Sequence, residues 1–242
     1  MKTTINRRSL NGLEVLEYTS EKAEKLMFLQ HGIYSNKTKV MALLAISFVK
    51  IGYRVIAVDA YKHGSRSEEP FTSKDEDLAA LETMEVVKRT ALDIRQLYID
   101  YFENEYKTFD IVGISMGGLI AYYLATLTKR INTVVALISS PKFMQAAEYT
   151  FPKEKQEKYP ESKEAKQLTK RMDPSTNPRQ LSFKRLIMMN GVEDTVIPIE
   201  QSLKFYEDNP NLNIIFKSYE TTHKITIEMH EDLISLLKEQ SN

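Results

Sequence analysis

One serine lies in a pattern that could make it a nucleophile. The stretch reads Gly113-x-Ser115-x-Gly117, with an apolar run before it and the Ala/Leu/Tyr-rich residues 119–128 after it. This order predicts a strand, a very tight turn and a helix, with the serine on the turn. Such a turn strains the serine backbone, and the two glycines leave room where strand and helix approach each other. We therefore expect the Ser115 hydroxyl to be exposed above the end of the strand.

A serine hydroxyl is a poor nucleophile at neutral pH unless a base accepts its proton. The chain has four histidines, and His223 is the preferred base because it lies between the last predicted strand and the last predicted helix. The alternative is that His223 is an ordinary surface histidine. Of the others, His230 lies inside the closing helix, His63 is interpreted as a hydrogen-bonded loop anchor, and His31 precedes a glycine in a loop that positions backbone.

The base in turn needs an acid that orients it. Asp194 is the preferred acid because it follows a buried strand, in a loop that begins with a glycine. Its neighbour Glu193 is the main rival, and both could simply be turn residues. Asp173 and Asp59 are weaker candidates, since they fall too early in the chain or in a different loop.

Strand and helix patterns alternate along most of the chain, after a predicted N-terminal edge hairpin with Asn11-Gly12 at its turn. This alternation predicts an α/β fold with a mainly parallel sheet and helices on both faces. Functional groups should then gather at the carboxyl ends of the strands. Five candidate residues lie just past the end of a predicted strand: His31, Asp59, Ser115, Asp194 and His223.

The chain is predicted to form one domain, residues 1–242, with a helical lid insertion at approximately 141–180. That segment is rich in Lys and Glu and is interrupted by prolines, which is typical of one to three short helices. Its apolar members could form a wall of the substrate pocket or could simply attach the insertion to the core. The candidate substrate-binding residues are His31, Tyr34, Met144, Tyr149 and Phe151.

Composition narrows the class of protein. Lys plus Arg and Asp plus Glu both number 33, which argues against binding nucleic acid through its phosphates. The absence of cysteine excludes disulfides, thiolate metal sites and a cysteine nucleophile, and it suits a reducing cytoplasm. We expect no signal peptide, no membrane span, no metal and no cofactor, because neither an apolar leader nor a phosphate-binding or metal-binding motif occurs.

These motifs together resemble the α/β-hydrolase superfamily, in particular small bacterial esterase-like and lipase-like serine hydrolases with a short lid. The resemblance covers nearly the whole chain except residues 141–180. It rests on His31-Gly32, Asp59-x-x-x-His63-Gly64-x-x-Ser67, Gly113-x-Ser115-x-Gly117-Gly118, Gly191-x-x-Asp194-x-x-x-Pro198 and His223. One departure is Lys62, where the family commonly has glycine, together with one extra residue before Ser67.

The resemblance implies an α/β-hydrolase fold and a catalytic triad of Ser115, Asp194 and His223. The backbone N–H groups of Met116 and Ile33 are the candidates for the oxyanion hole. The predicted function is a cytoplasmic carboxylesterase-like serine hydrolase that cleaves small acyl esters or thioesters, as a monomer or homodimer. The alternatives are a peptidase or amidase of the same fold and a non-catalytic binding protein, which normally lacks one member of the triad.

Overall fold

An eight-stranded sheet forms the centre of the protein. The computed structural model describes residues 2–38, 41–67, 76–145 and 161–239, and it describes only the backbone of residues 76–81 and 161–165. The strands are β1 (Thr4–Leu10), β2 (Leu13–Thr19), β3 (Lys25–Gln30), β4 (Tyr53–Val58), β5 (Phe109–Ile114), β6 (Ile131–Leu137), β7 (Arg185–Gly191) and β8 (Ile214–Tyr219). The helices are α1 (Met41–Lys50), α2 (Glu76–Tyr101), α3 (Met116–Leu127), α4 (Glu161–Met172), α5 (Ile199–Asp208) and α6 (Ile227–Lys238).

The strands lie in the order β1-β2-β4-β3-β5-β6-β7-β8. Strands β1 and β2 form the predicted antiparallel hairpin at one edge, and β2 also pairs with β4 in antiparallel orientation. All the pairs from β4 to β8 are parallel, so the carboxyl ends of these six strands meet at one edge of the sheet. This topology confirms the predicted α/β-hydrolase fold class.

Successive strand residues alternate between two apolar cores, as the pleat of a sheet requires. Helices α2, α3 and α5 cover one face, where Phe28, Ile111 and Phe205 are buried. Helices α1 and α6 cover the other face, where Phe48 and Leu233 are buried. The sheet is therefore enclosed on both sides, and its strand ends are free to carry polar groups.

Several element boundaries differ slightly from the sequence prediction. Within the described residues, the first helix runs from Met41 to Lys50, and residues 39–40 before it lie outside the described part of the chain. The closing helix begins at Ile227 because the Thr226 hydroxyl caps it and accepts a hydrogen bond from the Met229 N–H. In the predicted insertion, α4 is followed by two short 3-10 turns, Pro174–Thr176 and Pro178–Gln180. The division into one domain with a lid stays a prediction.

Candidate active site

Ser115 forms the turn between β5 and α3. Its φ is 53°, in the left-handed region that residues with a side chain rarely adopt. The turn is tight: a Cβ atom at Gly113 would lie 2.0 Å from the Gly117 carbonyl oxygen. A Cβ atom at Gly117 would lie 2.5 Å from the Gln30 carbonyl oxygen in the neighbouring strand end. Glycine is therefore required at both positions, as the sequence pattern predicts.

Two hydrogen bonds connect Ser115 to a histidine and a carboxylate. Ser115 Oγ lies 2.8 Å from His223 Nε2, and His223 Nδ1 lies 2.7 Å from Asp194 Oδ2. The three residues follow β5, β8 and β7, so three strand ends bring them together from distant parts of the sequence. Of the four histidines, all within the described residues, His223 is the one bonded to Ser115.

Asp194 is fixed more tightly than a turn residue needs to be. Its side chain is completely buried, and Oδ1 accepts hydrogen bonds of 2.9 Å from the N–H groups of Val196 and Ile197. The rival acid Glu193 is exposed. The two weaker candidates for the orienting acid accept hydrogen bonds from residues outside this group: Asp59 from Lys37 and Asp173 from Ser175.

This arrangement defines the direction of the hydrogen bonds. A carboxylate only accepts hydrogen bonds, so His223 Nδ1 carries the proton that is donated to Asp194. When the ring carries no second proton, Nε2 is left as an acceptor for the Ser115 hydroxyl proton. The His223 side chain is 23% exposed, so the imidazole can reach solvent and a bound molecule. Chemically, the group is arranged to remove a proton from Ser115.

The two candidate oxyanion-hole donors belong to the helix that follows Ser115 and to the loop after β3. Met116 is the first residue of α3, and N–H groups in the first turn of a helix have no partner within that helix. Ile33 lies in the loop after β3 and in the wall of the cavity that contains Ser115. That loop is close, since a Cβ atom at Gly32 would lie 3.4 Å from Ser115 Cβ.

The Ser115 cavity has a volume of about 460 Å³. Its wall is mainly aliphatic and includes residues from the ends of several strands. Sequence reasoning did not assign six of its residues to the site: Ser35, Met41, Ile114, Ile138, Lys224 and Ile225. The position of Ile138 at the end of a predicted strand was a usable signal, because the candidate catalytic residues also lie near strand ends.

Two of the predicted substrate-binding residues lie outside the described wall of the Ser115 cavity. His31 is completely buried, with Nδ1 2.7 Å from the Gly32 carbonyl oxygen and Nε2 accepting a hydrogen bond from the Ala60 N–H. Its ring holds two loops together and is not available to a substrate. Met144 lies in a separate groove beside Asp173, whose carboxylate accepts a hydrogen bond from the Met144 N–H.

The other three predicted substrate-binding residues, Tyr34, Tyr149 and Phe151, stay predictions. Tyr34 is 56% exposed in the loop that carries Ile33, but it is not among the residues that line the Ser115 cavity. Tyr149 and Phe151 lie outside the described residues.

A buried polar cluster supports the loop after β3. Burial lowers the pKa of His31 to about 4, and burial also lowers the pKa of the nearby His63. Burial alone would raise the pKa of Asp59, but hydrogen bonds from Lys37 and Ser65 outweigh it and keep that pKa below the ordinary value. The cluster therefore holds two neutral imidazoles beside a buried Lys37–Asp59 ion pair, where they anchor backbone.

The fold and the placement of these residues define the class of protein as an α/β-hydrolase. The model of the dienelactone hydrolase family matches residues 13–169, and the chain belongs to that family. No curated protein matches the chain in a comparison of sequences. Within the described residues, no helix is long and apolar enough to cross a membrane, and no group of three or more potential metal ligands occurs.

Solved structures with the same fold include proteins of several organisms. The protein TT1662 from Thermus thermophilus has a TM-score of 0.83 at 22% identity, with 99% of this chain and 98% of that chain covered. The Pyrococcus furiosus esterase Pf2001 has a TM-score of 0.67 at 20% identity, with 98% and 91% covered. Acetyl xylan esterase 1 from a Thermoanaerobacterium species has a TM-score of 0.71 at 15% identity, with 100% and 88% covered.

Proposed function

We propose that this protein is a serine hydrolase that cleaves carboxylic esters, with thioesters as a second group of substrates. The observation that carries the proposal is the pair of hydrogen bonds of 2.8 Å and 2.7 Å that connect Ser115 through His223 to Asp194. Two of the solved structures named above are esterases, which agrees with this reaction class. Ser115, His223 and Asp194 are proposed to act as a catalytic triad.

In the proposed first step, Ser115 Oγ attacks the carbonyl carbon of the ester while its proton moves to His223 Nε2. The carbonyl oxygen becomes an oxyanion, which the N–H groups of Met116 and Ile33 are proposed to stabilise. Asp194 accepts the hydrogen bond from Nδ1–H and stabilises the imidazolium. His223 then gives its proton to the leaving alkoxide, and the acyl group remains on Ser115 as an ester.

In the second step, water replaces the alcohol. His223 accepts a proton from the water as its oxygen attacks the acyl carbon, and it then returns a proton to Ser115 Oγ. The products are the carboxylic acid and the free enzyme. Every proton in this cycle passes through His223, so loss of the imidazole should abolish the reaction.

The experiment is a set of p-nitrophenyl esters of increasing acyl length, with matching thioesters and anilides, assayed with the wild type and variants. We expect ester hydrolysis that is lost in Ser115→Ala and to a similar degree in His223→Ala, because triad members act as a unit. Ser235→Ala, a serine exposed on α6, is the matched control and should keep wild-type activity. Faster cleavage of the anilides would favour the peptidase or amidase alternative, and wild-type activity in folded Ser115→Ala would refute the proposal.

A further inference from the structure

Ile138 has a strained backbone at the end of β6. Its φ is 46°, and it is the only β-branched residue with a positive φ among the described residues. A side chain branched at Cβ clashes most in this left-handed region, whereas glycine adopts it at little steric cost. The backbone at this position therefore favours glycine, and the presence of isoleucine needs a reason.

The strain is held in place by the neighbouring elements. The Ile138 N–H donates a hydrogen bond of 2.7 Å to the Met189 carbonyl oxygen in β7. The next carbonyl oxygen, that of Ser139, accepts hydrogen bonds from Asn190 at 3.1 Å and from the Ser202 hydroxyl at 3.0 Å. Strained backbone that its surroundings enforce in this way is concentrated at functional sites.

Ile138 and Ser115 occupy equivalent positions on neighbouring strands. Each is the first residue after its strand, each has a positive φ, and each N–H donates to the next strand, that of Ser115 to the Leu137 carbonyl oxygen at 2.9 Å. Both residues line the same cavity. The two turns therefore present the proposed nucleophile and an aliphatic side chain to one space.

Apolar side chains form much of the rest of that wall, beside the polar residues Ser35 and Lys224. Ile33, Met41, Ile114 and Ile225 line the cavity together with Ile138. Ile138 itself is only 3% exposed, so it is packed on its core side and has little freedom to move away from a bound molecule. A wall of this kind accepts an apolar chain and limits its length by contact, because protein interiors adapt poorly to added volume.

We propose that Ile138 is a specificity-determining residue that limits the length of the unbranched apolar chain of the ester held in the Ser115 cavity. The inference rests on the proposed function of Ser115 as the acyl-accepting nucleophile. The apolar chain could belong to the acyl group or to the alcohol, and the two arms of the test distinguish them.

The test compares Ile138→Gly and Ile138→Ala with the wild type. One arm uses p-nitrophenyl esters from butanoate to decanoate, and the other uses acetate esters of butanol to decanol. In one of the two arms we expect the ratio of kcat/KM for the longest to the shortest chain to rise at least about tenfold in both variants, since each accommodated methylene changes the rate by about that factor. Ile138→Gly, which also relieves the strain, should unfold at no lower urea concentration than Ile138→Ala.

Ile187→Ala is the matched control. Ile187 is a completely buried isoleucine of the same apolar core that does not line the cavity. Its truncation should lower the urea midpoint and leave the chain-length ratio within about twofold of the wild type, as expected for loss of packing alone. If the Ile138 variants behave like Ile187→Ala, losing stability with an unchanged ratio in both arms, the inference is overturned.

Measurements of ligand binding test this inference separately from the proposed function. Titration calorimetry of butanoate to dodecanoate against Ser115→Ala, with and without Ile138→Gly, requires no catalysis. Tighter binding of the long carboxylates when Ile138 is replaced supports the inference even if the wild type hydrolyses no ester, which would refute only the proposed function. Ester hydrolysis with no change of chain-length preference in binding or rate would refute the inference and leave the proposed function intact.

Discussion

Asp194 and Glu193 are adjacent in sequence, but their side chains lie in opposite surroundings. The Asp194 carboxylate is completely buried and bonded to His223 Nδ1 at 2.7 Å, whereas Glu193 is exposed. The Glu193 N–H donates a hydrogen bond of 3.1 Å to the Thr221 carbonyl oxygen, so backbone contacts fix the loop beside the histidine. The two acidic residues thus form a natural pair for a test of the proposed triad.

Replacing Asp194 by Asn should reduce kcat on the order of 10⁴-fold, because the amide no longer holds His223 in the required tautomer. The matched variant Glu193→Gln should keep nearly wild-type activity. Both proteins should show the wild-type circular dichroism spectrum. If Glu193→Gln is the inactive variant, the acid is wrong by one residue, and if both variants are fully active, the loop has no catalytic role.

The sequence was informative where local pattern determines local structure. The residues around Ser115 predict the strand, the turn and the helix because glycine at 113 and 117 is needed for the close approach of β5, α3 and the end of β3. The alternation of strand and helix patterns along the chain predicts the parallel sheet, because this order of elements is typical of a parallel sheet covered by helices. His223 and Asp194 could be chosen because each lies in the loop just past the end of a predicted strand.

The pocket could not be predicted in the same way, because its wall is made where distant strand ends meet. His31 looked accessible in a loop, but its ring is buried against the Ala60 N–H, which β4 brings to it from 29 residues further along the chain. Met144 looked like a wall residue, but Asp173 holds it in another groove. Isoleucine gives no sequence signal for a left-handed backbone, so the conformation of Ile138 became visible only in the structure.

Removing one partner of the buried ion pair between Lys37 and Asp59 should destabilise the protein strongly. Lys37 Nζ lies 2.5 Å from Asp59 Oδ2, and the Lys37 N–H donates a hydrogen bond of 2.7 Å to Oδ1. Lys37→Met leaves a buried carboxylate without its cation and should lower the free energy of unfolding by about 3–5 kcal/mol, measured by urea denaturation. Lys204→Met, which breaks an exposed pair with Asp208, should have little effect.

A double variant tests whether the effect at Lys37 comes from its ion pair with Asp59. The double variant Lys37→Met/Asp59→Asn removes both charges, so it should be more stable than the sum of the two single changes implies. Additive losses, or a stability of Lys37→Met equal to that of Lys204→Met, would show that the pair does not anchor the loop after β3.

The buried histidines should make the protein less stable in acid. Burial lowers the pKa of His31 from 6.5 to about 4, against the opposing attraction of Asp59. As the pH falls below about 6.5, His31 of the unfolded chain binds a proton that His31 of the folded protein does not bind. The contribution of His31 to the free energy of unfolding is therefore fully present above that pH and is lost between about 6.5 and 4. His63, whose pKa is also lowered by burial, acts in the same direction.

Urea denaturation at pH 7 and pH 4.5 measures this effect. The fall in the free energy of unfolding between the two pH values should be smaller in His31→Gln than in the wild type by about 2 kcal/mol, because glutamine does not titrate. The comparison uses the change in the free energy of unfolding between the two pH values within each protein. A loss of packing caused by the substitution lowers both values and therefore cancels. Equal falls in both proteins would mean that His31 stays accessible to protons in the folded state.

The central claim is that Ser115 is the nucleophile, and a covalent label tests it most directly. The protein is treated with a fluorophosphonate, and the adduct is located by mass spectrometry of the intact chain and of its peptides. We predict one adduct per chain, on Ser115, and none on folded Ser115→Ala. An adduct on a different residue, or no adduct on the folded wild type, would contradict the account.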